Sequence, residues 1–200
     1  MTLAERLREA LAHGARRTPE LLPGDAVDLV ADPDQLPMPA AVLVPVVDRA
    51  DPTVILTLRT DTVRSHAGQV AFPGGRIDPS DEGPIEAALR EAEEEIGLPR
   101  NLVQVIGTVD TYRTITGYQV TPVLAVVPPD LPLTPQPSEV AAIFEAPLRH
   151  LLDKRQQRLR TVEWRGAERT YFEIQWEDRR IWGATAAMIV NLSRRLQLVS

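Results

Sequence analysis

The sequence predicts a single domain of the α/β or α+β class, and two observations predict it. β-branched apolar runs mix with amphipathic helical stretches along the whole chain, with no internal repeat and no linker-like stretch between them. The composition is that of a globular chain long enough to bury a sizeable core, with 200 residues, 44% of them apolar and 25% charged. The formal net charge of -6 argues mildly against a nucleic-acid surface. The absence of cysteine excludes disulfides and thiolate metal ligands. No run reaches the roughly 18 apolar residues of a membrane-spanning helix. The start, MTLAERLREALAHG, mixes Glu and Arg through its apolar positions, unlike a signal peptide. These features predict a cytoplasmic protein with no membrane partner and no nucleic-acid partner.

The elements follow in order. Leu3, Leu7 and Leu11 recur at helical spacing and Gly14 is a natural stop, so a short amphipathic helix opens the chain. The rest of residues 1–38 is rich in Pro, Asp and Gly and reads as an irregular lead-in. AVLVPVV (41–47) and TVILTLR (53–59) are strands split by a turn-like DRADP. VRSHAGQVAFPGG (63–75) reads as loop and short strand. LVQVIGTVD (102–110) and YQVTPVLAVV (118–127) are further strands, joined by TYRTITGY, which fits a hairpin loop or a ligand cover. PPDLPLTPQPS (128–138) holds five prolines and is neither helix nor central strand; loops of that length inside compact domains are often functional. EVAAIF (139–144) suits a strand, APLRHLLDKR (146–155) a helix with Pro near its first turn, RTYFEIQW (169–176) a strand, and ATAAMIVNLSRRLQLV (184–199) a strong helix. Trp164, Trp176 and Trp182 fit either a core or a homodimer contact.

One helix stands apart chemically. In GGRIDPSDEGPIEAALREAEEEIGL (74–98), Pro84 suits the first helical position and Gly97 the stop. Ile85, Ala88, Leu89, Ala92 and Ile96 form the face expected to pack on the core. Glu91, Glu94 and Glu95 share a stripe beside that face, and Arg90 neighbours Glu86 and Glu94 by helical spacing. Carboxylates are poor company for one another at a helix C-terminus, where the macrodipole favours cations. Two readings fit: a solvated acidic face, or a site for a hard divalent cation, which takes carboxylate and phosphate oxygens.

These residues carry a resemblance. Glu82, Arg90, Glu91, Glu94, Glu95, Gly97 and Leu98 stand in the register of the Nudix box, G-x5-E-x7-R-E-U-x-E-E-x-G-U, with Ala92 at the first aliphatic place. One departure precedes Glu82: six residues rather than five separate it from Gly75, so the role of Glu82 is open. A narrower likeness covers ILTLRTDTVRSHAGQVAFPGG (55–75), which is similar to the segment typical of coenzyme A pyrophosphatases, L-L-T-x-R-[SA]-x3-R-x3-G-x3-F-P-G-G. Ile55 and Thr60 are its two departures.

The resemblance implies an α/β class with the Nudix fold, an α/β/α sandwich around a mixed sheet. It implies a hydrolase that uses Mg²⁺ or Mn²⁺ to split coenzyme A into 3′,5′-ADP and 4′-phosphopantetheine. By position, Glu91, Glu94 and Glu95 would bind metal and Gly75 would lend a carbonyl oxygen. Glu91 is the first choice for general base and Glu139, after the Pro-rich loop, the second; a plain exposed Glu at a strand start fits Glu139 as well. Glu94 would share the catalytic work. Arg59 and Arg64 would bind phosphate, with His66, Gln69 and Phe72 as further substrate contacts, although Phe72 also suits a core position. Hydrolysis of ADP-ribose or another nucleoside diphosphate derivative is the nearest alternative. A Nudix-like binding module without catalysis is the alternative from another class, and a homodimer is possible.

Overall fold

The computed structural model describes residues 1–16, 21–22, 36–60, 68–164 and 167–197. Helix α1 (Leu3–Ala15) starts at a capping box, in which the Thr2 hydroxyl accepts from the Glu5 amide while the Glu5 carboxylate accepts from the Thr2 amide. Most of the expected irregular lead-in lies outside the described residues, but Leu22 is fixed by two bonds to the buried side chain of Asn191.

Eight strands then build one mixed sheet: β1 (Met38–Val47), β2 (Thr53–Arg59), β3 (Val70–Ala71), β4 (Gly74–Arg76), β5 (Gln104–Thr108), β6 (Tyr112–Arg113), β7 (Tyr118–Val127) and β8 (Val140–Pro147). The long central strands β1 and β7 run parallel and in register from Met38↔Tyr118 to Val47↔Val127. Their side chains alternate between two buried layers, as period-2 geometry requires when a sheet is covered on both faces. Ala40, Val44 and Val46 point to one layer; Ala41, Leu43 and Val47 point to the other.

Each central strand forks on its outer side, and each fork holds a proline. β1 pairs with β4 at residues 40–42 and with β2 at 46–47, with Pro45 between. β7 pairs with β6 at 119–120 and with β5 from Val123 onward, with Pro122 between. The Leu43 amide points outward to the Pro73 carbonyl, so by the alternation of the pleat the missing N–H of Pro45 would face into the fork. A proline in a central strand is tolerated where no ladder partner stands. Residues Val70–Arg76 fill the fork between β1 and β2, with β3 on β2 and β4 on β1.

One layer is covered by α1 and by α4 (Ala184–Leu196), whose Leu192 and Leu196 meet Leu3 and Leu7 in the larger core; α3 (Leu148–Leu152) joins them. The other is covered by α2 (Pro84–Ile96), where Ala87, Ala88, Ala92 and Ile96 meet Leu43, Ile55 and Val123. A second antiparallel sheet, β9 (Arg158–Trp164), β10 (Ala167–Trp176) and β11 (Arg179–Trp182), packs its Phe172, Ile174 and Ile181 into the larger core.

Several expectations need correction. The helix expected over 146–155 keeps only Leu148–Leu152, because β8 runs through Pro147 and Asp153 is already extended. The strand expected from 102 begins at Gln104, since Arg100–Leu102 forms a 3₁₀ turn. β9 and β11 were not expected: RLRTVEW and RRIW alternate charge with apolar residues, and Leu159 and Val162 stay exposed. TYRTITGY forms a hairpin, with Tyr112 buried and the Tyr118 hydroxyl bonded by Arg76. Among the described residues no helix is long and apolar enough to cross a membrane.

Candidate active site

The packed face of α2 differs from the expected one. Ile85 is 40% exposed, while Glu95 is 4% exposed, on the same buried side as Ala88, Ala92 and Ile96. Alanines let the helix sit close to the sheet, and that closeness carries the Glu95 carboxylate to the Gly74 amide, which donates to it at 3.1 Å. Arg59, at the end of β2, reaches the other carboxylate oxygen at 3.8 Å. Residues from three segments thus meet at one buried acid: α2, β4 within the fork, and β2 at its outer side.

The double glycine is required by this contact. A Cβ on Gly75 would lie 2.5 Å from the carboxyl carbon of Glu91, and one on Gly74 would lie 2.4 Å from the Ala41 carbonyl oxygen. A side chain at Gly75 would force β4 and α2 apart, and one at Gly74 would force β4 away from β1.

Arg90 fixes the helix to the acidic turn. It donates two bonds to Asp81, at 3.0 and 2.9 Å, one to the Arg76 carbonyl at 3.0 Å, and further bonds to Glu91 at 2.9 Å and Glu94 at 3.2 Å. Its expected pairing with Glu86 gives way to Asp81, because Glu86 turns back to accept from the Glu82 amide. Asp81 therefore belongs to the site's framework, and sequence reasoning missed it; an acid in the turn just before a helix arginine is the signal that could have found it. The Arg90 guanidinium holds the Asp81 carboxyl below the usual carboxylate range.

The remaining acids are in electrostatic tension. Burial pushes the Glu95 carboxyl up to about 7, against the Gly74 amide and Arg59, with Glu91 and Glu139 adding like-charge repulsion. Burial likewise raises Glu91, opposed by Arg90 and reinforced by Glu94 and Glu139. Glu139 thus stands close enough to both acids to be felt. The Pro-rich loop brings it there: the Thr134 and Gln136 amides donate to the Ile96 and Glu95 carbonyls, and the Thr60 amide donates to the Glu139 carbonyl.

Glu91, Glu94, Glu95 and Gly75 are oxygen donors, the set that hard divalent cations take. Excess buried negative charge is what such a cation would relieve. As the side chains stand, no three acidic or histidine groups among the described residues converge on one point. Glu94, with its side chain 60% exposed, is free to turn away from Arg90. Of the other expected contacts, the Gln69 carbonyl accepts from the Arg59 amide, which places Gln69 beside the site. Phe72 is 4% exposed and packs in the larger core, so its ring belongs to the core and presents no face to a ligand. Arg64 and His66 lie outside the described residues.

A family model described as NUDIX domain matches residues 37–168. An uncharacterized Nudix hydrolase NudL of Photorhabdus laumondii subsp. laumondii is 44% identical over 159 residues, covering 80% of this chain and 85% of that protein. A protein of the same description from Escherichia coli strain K12 is 44% identical over 157 residues, covering 78% of this chain and 82% of its own. A solved Nudix hydrolase from M. Smegmatis, RenU, is 28% identical with a TM-score of 0.49, covering 56% of this chain and 72% of that one.

Proposed function

The chain belongs to the Nudix hydrolase family, and we propose that it is a cytoplasmic hydrolase of the diphosphate bond of coenzyme A and its derivatives, yielding 3′,5′-ADP and 4′-phosphopantetheine. The observation that carries the reading is the meeting at Glu95. Arg59 and Gly74, both from the segment resembling coenzyme A pyrophosphatases, bind the same carboxylate of the box helix. The two motifs therefore form one site.

In this reading Glu91, Glu94, Glu95 and the Gly75 carbonyl hold Mg²⁺ or Mn²⁺. The bound ion supplies charge neutralisation of the diphosphate and a more acidic water. Arg90 orients Glu91 and keeps the helix seated on the 76–81 turn. Glu91 accepts the proton of the attacking water at a carboxylate oxygen, and its raised affinity for a proton suits that work. Glu139 is the second candidate for base. Arg59 and Arg64 take phosphate oxygens, with Gln69 and His66 as further substrate contacts.

The test is a product assay. Purified protein with Mg²⁺ or Mn²⁺ is given coenzyme A, ADP-ribose and nucleoside triphosphates, and kcat/KM is compared. Coenzyme A is expected to lead, with the two named products in equal amounts. A lead for ADP-ribose would transfer the reading to that nucleoside diphosphate derivative. Binding without turnover of any of them would make the chain a binding module.

A further inference from the structure

We propose that the apolar cleft between β2, β8 and the Pro-rich loop receives the uncharged arm of the substrate, the chain that leads away from the diphosphate on the side opposite the nucleoside. The inference rests on the coenzyme A reading and deepens it, the arm being pantetheine with any acyl group it bears.

The cleft has a volume of about 630 Å³, within the range of small-molecule sites. It lies on the α2 side of the sheet, between β2, β8 and the Pro-rich loop. Ile55 and Ile143 belong to its floor; Leu131, Leu133 and Pro135 line it from the loop; Glu145 stands at the far end.

Three observations point it at the site. First, Ile55 and Arg59 stand on the same face of β2, four residues apart, which is about 13 Å along a strand. A chain leaving a diphosphate held near Arg59 and Glu95 would run along that strand into the cleft. Second, the loop lining is anchored to the catalytic helix: the amides on either side of Pro135, those of Thr134 and Gln136, donate to Ile96 and Glu95. Third, the loop is extended with a two-residue period. Leu131, Leu133 and Pro135 are half-buried while Pro132, Thr134 and Gln136 are exposed. Its prolines hold that shape at low entropic cost.

The chemistry selects the occupant. The lining is almost entirely apolar, and its one charged member is an acid. Glu145 is itself engaged by Arg49 and by the Thr53 hydroxyl, and Arg49 also binds Asp130. Among the described residues no cation is part of the lining, and Arg49 beside Glu145 is shared between Glu145 and Asp130, so a phosphorylated nucleoside would enter an apolar trough with little to balance its charge. An uncharged flexible arm meets apolar walls and the exposed backbone polar groups of the loop.

The experiment compares coenzyme A with the methyl ester of 3′-phospho-ADP, which keeps the nucleotide and the diphosphate and lacks the arm. In the wild-type protein kcat/KM is expected to be at least about 10-fold higher for coenzyme A. Leu133→Glu places a charge on the loop wall and Ile143→Trp fills the floor; each is expected to bring that ratio down to about one. Thermal melting checks that both variants fold, and the wild-type ratio stands without them. If the wild-type protein hydrolyses both compounds equally well, or the variants leave the ratio unchanged, the cleft assignment falls while the coenzyme A reading stands. If the protein hydrolyses other diphosphates and neither of these, both fall.

Discussion

α2 and α4 are helices of the same length on opposite faces of one sheet, with 13 residues each, and they are built for different ends. α4 buries ten of its residues, from Thr185 to Leu196, most of them apolar. Its buried polar groups are matched: Asn191 exchanges two bonds with Leu22, and Thr185 donates to the Val70 carbonyl. Near its end Arg195 forms a two-bond pair with Asp110 and also donates to the Gly14 carbonyl. α2 buries five residues, four of them small or aliphatic and one a glutamate. Its charges do not balance, since Glu91, Glu94, Glu95 and the nearby Glu139 outnumber Arg59 and Arg90. One helix spends its surface on stability; the other keeps destabilising groups in place, and a bound cation would relieve them.

Four changes test this contrast. The largest effect is expected from Glu94→Gln and Glu95→Gln, each lowering turnover by about 100-fold or more with the fold retained. Near-normal rates in both would remove the carboxylates from the chemistry. Leu192→Ala on α4 is expected to cost about 2–5 kcal/mol in urea unfolding, with no change in the metal concentration needed for half-maximal activity. A shift in that concentration would mean the two faces are not independent.

The third test separates stability from activity at Glu95. Its carboxyl is pushed up to about 7 from an ordinary 4.5. A group so raised contributes its full stability below its unfolded value and loses it as pH rises through the folded one. Melting of the metal-free protein should therefore fall between about pH 5 and pH 8, and Glu95→Gln should flatten that fall and melt higher at the alkaline end. A variant that melts lower at every pH would show that the ionised carboxylate is a net structural asset. The smallest effect belongs to Asp110→Asn. Arg195 holds the Asp110 carboxyl below its ordinary value, so the pair stabilises above the unfolded value and its contribution fades as pH falls. A loss of about 1 kcal/mol at neutral pH, shrinking in acid, is expected; equal losses at both pH values would assign the effect to packing.

The sequence made some of this legible. The spacing of Glu91, Glu94 and Glu95 placed these acids together on one helix, since local spacing on a helix is fixed by its pitch. The continuous apolar run in 41–47 and the β-branched stretch in 118–127 revealed strands. The orientation of Glu95 was not legible. Ile85 outranks alanine on any hydrophobic scale, yet small side chains set which face can approach a sheet closely. Asp81 and Arg90 are nine positions apart and meet only because the turn folds back, a non-local fact that spacing does not encode. β9 escaped notice because its apolar side chains are few and partly left in solvent.

The prolines at the two forks bear on how the molecule can be rebuilt. A neighbouring strand grows by recruiting one amide after another, and Pro45 has none to offer. β2 therefore cannot zip further along β1 toward Gly75 and squeeze out residues Val70–Arg76. The ring of an imino acid helps keep open the fork over which α2 sits, so restoring an amide there would invite the sheet to heal across the candidate site.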